Sequence, residues 1–338
     1  MTDSTVVDCG MPGNIAIFDP QQHVVGLKLL FPEADYYSIS PSSFYKYNQR
    51  EKEDFYKVYD FNYMDDLTNI NSTKYDTLII VFVLYDGANI TELNKQNGAN
   101  QMLGVLRDLV SKNNFKKVLF FDNYDYDYDP SSLFGKELPI NAYFKRNYSS
   151  DVKYSPNVYS FPFMIFGLPI CILWYSLMNV KPYDYSEKFP AIFWSGGIYK
   201  HTDPKYPTAF TDRETIFNEI KPYLTVESGY SFDTFMKRMS MFSYSLDLNG
   251  VGNPNRRIFE ILISGSLMLT HQNKLVWPFE EKFDANTFFE TKEEFETNLY
   301  YLVKNKDNYN AALKQQEKIL LKYLNKDWLR SYIMSKLV

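Results

Sequence analysis

Cysteine and histidine are scarce in this chain. Its 338 residues hold two cysteines, Cys9 and Cys171, and three histidines, His23, His201 and His271. Neither set has the spacing of a zinc site, so no metal centre of that type is expected. So few cysteines fit a reducing, cytoplasmic setting. Long basic runs are also missing, and the net charge is −5. A nucleic acid is therefore not expected among the partners. No P-loop and no nucleophile elbow occurs. "GVGNPN" lacks the third glycine of a dinucleotide fingerprint.

The opening residues, "MTDSTVVDCGMPG", have neither a basic nor an apolar stretch of the kind a signal peptide carries. The sequons at Asn71, Asn89 and Asn147 are accordingly read as chance. One uncharged run, Phe161 to Met178, is nearly long enough to cross a bilayer. Pro162, Gly167 and Pro169 interrupt its first half, and no basic residues closely flank its N-terminal side. It is read as a buried strand, a turn and a core helix, with no membrane span.

What is present suits a globular protein. Hydrophobic residues make up 45% and charged residues 23%, and the length suits two domains. Aromatics reach 18%, with 29 Tyr and 27 Phe; composition bias accounts for them as readily as platforms for sugar rings. Strand and helix signals alternate. "NIAIF", "DYYSI", "TLIIVFVL" and "KVLFFD" read as strands, the third apolar and β-branched enough for a central parallel position. "VVGLKLLF" and "NQMLGVLRDLVSK" read as helices. The second half repeats this grammar: "AIFWSGG", "MFSYSLDL" and "SLMLT" as strands, "RETIFNEIKPYL", "RRIFEILIS" and "TKEEFETNLYYLVKN" as helices, then one or two more helices to the end. The fold class expected is α/β, with two Rossmann-like domains and an interdomain cleft. The boundary falls near Pro169–Pro190, giving domains 1–180 and 181–338.

The most informative stretch is "LDLNGVGNPNRRIFEILISGSLMLT", Leu246 to Thr270. Asn253 as N-cap and Pro254 as first helical residue would start a helix there, and Gly265 would stop it. Asn255, Arg256 and Arg257 then fall in the first turn. A cation there opposes the helix dipole at a cost of about 0.3–1 kcal/mol each. A bound phosphate removes that conflict. Gly250 and Gly252 keep the approach open, and Glu260 lies on the same face as Arg256. The alternative use of these residues is an Arg256–Glu260 pair one turn apart.

Two other loops bear on the site. "FWSGG" puts Ser195, Gly196 and Gly197 straight after a strand, where backbone amides can reach a diphosphate, and Arg213 follows near a helix start. A plain tight turn would look the same. "FFDNYDYDYDP" follows the strand ending at Asp122. Its Asp125-x-Asp127-x-Asp129 alternation looks like the DxD of metal-dependent sugar transferases; a solvated acidic loop is the alternative. Pro130 and Lys136 stand where a calcium loop needs Gly and Glu, which excludes that reading. Asp122, set deepest, is the candidate general base.

From about Ser240 to Leu324 the chain resembles the C-terminal domain of GT-B glycosyltransferases. "YSLDLNGVGNPNRRIFEILISGSLMLTHQ" and "FFETKEEFETNLYYLVKNKDNYNAALKQQEKIL" are similar to the spore-maturation-type and protein O-glucosyltransferase-like branches. "FWSGG" matches the first loop of that domain, and "YFKRNY", Tyr143 to Tyr148, is similar to text in the same group. The resemblance implies that Glu260 binds the donor ribose and that Arg256 or Arg257 binds the diphosphate. The two-glutamate spacing of the large retaining families is missing, which leaves stereochemistry open. The function expected is sugar transfer from a nucleotide-sugar donor, UDP favoured over GDP, to a hydroxyl on a glycan or protein. Residues 1–180 would bind the acceptor and 181–338 the donor. Ser195, Gly196, Gly197, Arg213, Gly250, Asn255, Arg256, Arg257 and Glu260 would form the donor site and Asp122 the catalytic one. No cofactor beyond the donor is expected to be required, and a divalent metal is not favoured. The rivals are a metal-dependent DxD enzyme and a non-catalytic nucleotide- or sugar-binding protein.

Overall fold

The computed structural model describes residues 14–18, 25–37, 63–64, 67–82, 97–122, 128–133, 138–161, 188–198, 209–248, 256–271, 274–278 and 280–337. Among them, the first half forms strands β1 (Ile15–Phe18), β2 (Asp35–Tyr37), β3 (Tyr63–Met64), β4 (Thr77–Phe82), β5 (Lys117–Asp122), β6 (Ala142–Lys145) and β7 (Val158–Ser160). Helices α1 (Val25–Leu30) and α2 (Asn97–Ser111) lie between them. The seven strands are ordered β3-β2-β1-β4-β5-β6-β7, and every pairing is parallel.

A parallel sheet is covered on both faces, which is why its strands read as unbroken apolar runs. Strand alternation sorts those residues between two layers. Ile15, Ile17, Ile79, Val81, Leu119 and Phe121 enter one core cluster. Ala16, Phe18, Leu78, Ile80, Val118 and Phe120 enter the other, together with Leu106 and Val110 of α2.

The second half forms β8 (Phe189–Trp194), α3 (Ala209–Ile220), β9 (Leu224–Val226), α4 (Phe232–Ser240), β10 (Phe242–Asp247), α5 (Arg256–Ser264), β11 (Leu267–His271) and β12 (Phe288–Phe289). Three helices follow: α6 (Lys292–Lys304), α7 (Lys306–Leu324) and α8 (Lys326–Ser335). The strand order is β12-β11-β10-β8-β9, again all parallel. Thr291 and Asn305 cap α6 and α7, accepting from Glu294 N and Asp307 N. The expected two-domain α/β architecture is therefore present as two separate parallel sheets.

Two features join the halves. Helix α8 returns to the first sheet: Tyr332 Oη donates to Ser160 O at 2.8 Å, and Arg330 donates to Leu30 O at 3.1 Å and pairs with Glu33. Leu329 and Ile333 share a core cluster with Ile15 and Phe121. Elsewhere Ser149 and Leu275 form an isolated antiparallel bridge, flanked by a Lys274–Asp151 ion pair of 2.5 Å.

The helix expected to stop at Gly265 does so. Gly265 adopts φ +64°, a left-handed conformation that glycine takes without strain. Lys188, just before β8, is buried and donates from Nζ to Gly265 O at 2.7 Å. Burial pushes its ammonium pKa down to about 7. This pair sits at the amino end of the second sheet, away from the edge where ligands bind such folds.

Several expectations fall outside the described residues: the helix start at Asn253–Pro254, the placement of Gly250 and Asn255, the loop carrying Asp125 and Asp127, and the run from Pro162 to Met178. Among the described residues no helix is long and apolar enough to cross a membrane.

Candidate functional site

An open parallel sheet binds ligands beyond the carboxyl ends of its strands, where the strand order reverses. In the second sheet that reversal lies between β8 and β10, which pair directly. Ser195, Gly196 and Gly197 leave the end of β8, and the connection to α5 leaves the end of β10. The two loops expected to hold a diphosphate thus emerge from neighbouring strands, about 4.8 Å apart.

Helices approach this edge from both faces. On one face, α3 brings the Arg213 guanidinium to 5.4 Å from the centre of the Trp194 ring. Trp194 and Phe217 of α3 share a core cluster, with ring centroids 5.8 Å apart. On the other face Phe193 packs against Phe235 of α4 at 5.9 Å. The guanidinium of Arg257 lies over Phe235 at 4.6 Å. Its Nε is 3.6 Å from Glu260 Oε2. Arg257, three residues before Glu260, thus pairs with it within α5; the Arg256–Glu260 pair the sequence offered is not tested. The Arg256 side chain lies outside the described part. Glu260 is 9% exposed.

Asp247 ends β10 and is fully buried. It accepts from Thr270 Oγ1 at 3.1 Å, across the pair of strands where the two residues are in register. Sequence reasoning passed over it, although an aspartate closing an apolar strand just before "NGVGNP" was the signal available.

On the first sheet, Asp122 closes β5 and stands in register with Lys145 of β6. Lys145 Nζ is 3.0 Å from Asp122 Oδ2, and neither side chain is exposed. The ammonium also sits 4.4 Å from the Tyr128 ring centre. Arg146 follows, buried, and burial lowers its pKa to about 10 against the opposing pull of Asp122. The carboxylate proposed as a base is thus enclosed and held by a cation. Lys145 lies within "YFKRNY", where nothing in the local spacing marks it as the partner of Asp122.

Asp129, third in the acidic alternation, is bound up with its own loop. It accepts from Ser131 N at 2.9 Å, Ser155 N at 2.8 Å and Ser155 Oγ at 2.6 Å. Those bonds hold its carboxyl below its ordinary pKa, against the opposing effect of burial.

No family model and no curated protein matches the sequence. Solved structures do match. The chain is similar to a glycosyltransferase from Rickettsia africae ESF-5, with a TM-score of 0.51 and 9% identity over 95% of this chain and 97% of that one. It is also similar to the DNA-modifying enzyme β-glucosyltransferase, solved with and without its substrate uridine diphosphoglucose (TM-score 0.49, 13% identity, 96% and 99% covered). A third match is T4 phage BGT in complex with UDP and Mn²⁺ (TM-score 0.46, 12% identity, 96% and 99% covered). The first likeness shows the fold: two parallel-sheet α/β domains of the GT-B type.

The third corrects one expectation. The expectation that nothing beyond the donor is required is withdrawn: T4 phage BGT is in complex with UDP and Mn²⁺. In this chain no group of three or more His, Cys, Asp or Glu among the described residues could hold an ion. Asp122 and Asp129 are already engaged as above. The described residues thus offer no metal site of three or more such ligands.

Proposed function

We propose that this chain is a GT-B glycosyltransferase. It moves a sugar from a nucleotide-sugar donor, UDP favoured, to an acceptor hydroxyl on a glycan or protein. One observation carries the reading. The Ser195–Gly197 turn and the Arg257–Glu260 helix face leave β8 and β10, the strands that flank the order reversal of the second sheet.

The proposed division of labour gives residues 181–338 the donor and 1–180 the acceptor. Amides of the Ser195–Gly197 turn, with Arg213, Gly250 and Asn255, line the diphosphate. Arg256 and Arg257 neutralise it as charge grows on the leaving group, where preorganised donors matter most. Glu260 accepts from the ribose hydroxyls and orients Arg257. Asp122 is the proposed carboxylate on the acceptor side. Its enclosure sets a condition: the acceptor hydroxyl must reach a buried carboxylate that Lys145 already holds through Oδ2. Motif text similar to that of the spore-maturation-type and O-glucosyltransferase-like branches supports membership of one of them. The scarcity of cysteine supports a cytoplasmic site of action.

A thermal-shift panel of UDP-, GDP-, TDP- and CMP-sugars tests the donor assignment, since a ligand that binds the folded state raises stability by mass action. UDP-sugars should give the largest shift. No shift with any of them sinks the reading. An acceptor panel of glycans, proteins and DNA, read by release of UDP, then separates turnover from binding alone.

A further inference from the structure

Trp194 is the last residue of β8 and is 2% exposed. Three observations converge on its indole. The Arg213 guanidinium lies 5.4 Å from the ring centre. A Cβ placed on Gly196 would fall 3.1 Å from the ring carbon Cζ2, so the backbone of the turn runs directly against the ring. The indole Nε1 is buried and has no hydrogen-bond partner among the described residues. Buried N–H groups are nearly always paired, so an exception calls for an explanation.

The neighbours show how firmly this ring is set. Phe217 packs against it from α3, and Trp194 O accepts from Glu227 N at 2.9 Å. Ring and backbone are both fixed, while the turn resting on them carries small residues only. A larger residue at position 196 would press on the ring, and turn or ring would have to shift by a few tenths of an ångström. The ring therefore determines how far the 195–197 amides stand from the sheet edge. A cation over an indole face is attracted by the ring quadrupole, so the same ring also fixes where Arg213 presents its charge.

We propose that Trp194 is a positioning residue for the donor diphosphate, setting the height of the Ser195–Gly197 turn and the placement of Arg213 together. This rests on the donor-site reading above. It adds a residue that touches the turn and the cation, and it makes their contributions to binding interdependent.

The test measures UDP affinity by calorimetry in Trp194→Leu, Trp194→Phe, Arg213→Gln and the Trp194→Leu/Arg213→Gln double variant, each with its melting temperature. Trp194→Leu should weaken UDP binding about tenfold, the scale of a desolvated cation–aromatic contact. Trp194→Phe keeps a ring under the turn and should recover most of that loss. The double variant should be little worse than Arg213→Gln alone, because both changes remove one arrangement. UDP should also change the tryptophan emission of the wild type, and that change should be absent from Trp194→Phe even where UDP still binds. If Trp194→Leu does not fold, Trp194→Phe emission and Arg213→Gln affinity carry the test. Lower melting temperatures with unchanged UDP affinity and an intact emission change would reduce Trp194 to core packing and overturn the proposal. A wild type that does not bind UDP at all would instead overturn the donor site.

Discussion

Asp122 and Lys145 face each other in register on adjacent parallel strands, Nζ 3.0 Å from Oδ2, with both side chains fully enclosed. Breaking such a pair from one side leaves a buried charge, which costs about 3–5 kcal/mol. Lys145→Met should lower the urea midpoint accordingly. Asp122→Asn should do so as well and, if the acceptor-side role holds, should also cut turnover about 10²–10⁴-fold while UDP affinity stays. Turnover per folded molecule equal to wild type in Asp122→Asn would leave the pair a purely architectural one.

Arg257 and Glu260 are the described residues of α5 proposed to meet the nucleotide. Arg257→Ala should weaken UDP binding by about 1.5–3 kcal/mol, the range for charged hydrogen bonds. Melting temperature should fall as well, because Arg257 pairs with Glu260 and lies over Phe235, with part of the loss offset by removing a cation that opposes the helix dipole. Glu260→Gln should weaken UDP but leave inorganic pyrophosphate binding nearly intact. Equal losses for both ligands would mean that Glu260 works only by orienting Arg257.

Lys188 gives a pH signature. Its pKa is lowered by burial to about 7 in the folded chain, from an ordinary value of 10.5. Between these values the unfolded chain holds a proton that the folded chain does not. Stability therefore rises with pH across that window, and below about pH 7 the penalty is at full size. Lys188→Met removes it while giving up the bond to Gly265 O, worth about 1 kcal/mol. The variant should melt higher than wild type at pH 6, and its advantage should shrink towards pH 10. A difference that stays constant over that range would contradict the assignment.

Asp129 gives a slope of the same sign in the acidic range. Its hydrogen bonds to Ser131 and Ser155 favour the ionised form and lower its pKa. Its contribution is present above the ordinary carboxylate range and is lost as pH falls through the folded value. Asp129→Ala should therefore destabilise the protein at pH 7 and do progressively less harm on acidification. Urea midpoints at pH 7, 5 and 3 check this.

The long elements were legible because one signal dominated each. β4 is "TLIIVF" and β5 "KVLFFD", runs that only a doubly covered strand needs. α5 could be read from its arginines and from Gly265. The elements overlooked are short or mixed. β6 is "AYFK", with a lysine that is buried only because Asp122 meets it. β7 and β9 have three residues each, too few for a period to register. α4, "FDTFMKRMS", carries its apolar face on Phe235, Met236 and Met239, and it lies between stretches that were assigned. The site divides the same way. Arg257, Glu260 and the Ser195–Gly197 turn belong to local motifs. The pairing of Asp122 with Lys145, the alignment of Asp247 with Thr270 and the seat of Arg213 on Trp194 depend on strand register and helix packing, which spacing along the chain does not encode.

The return of α8 to the first sheet also bears on how the protein is made. Tyr332 closes over Phe161 and Phe144, with ring centroids 6.2 and 6.4 Å away, and Leu329 and Ile333 complete the same core. All of them are translated long after the strands they cover. At ordinary elongation rates the stretch from Phe161 to Lys326 takes on the order of ten to thirty seconds to emerge. For that interval the nascent first lobe has its strands but not its final covering helix. Its apolar face is then the part of the chain on which a ribosome-associated chaperone would have most to hold.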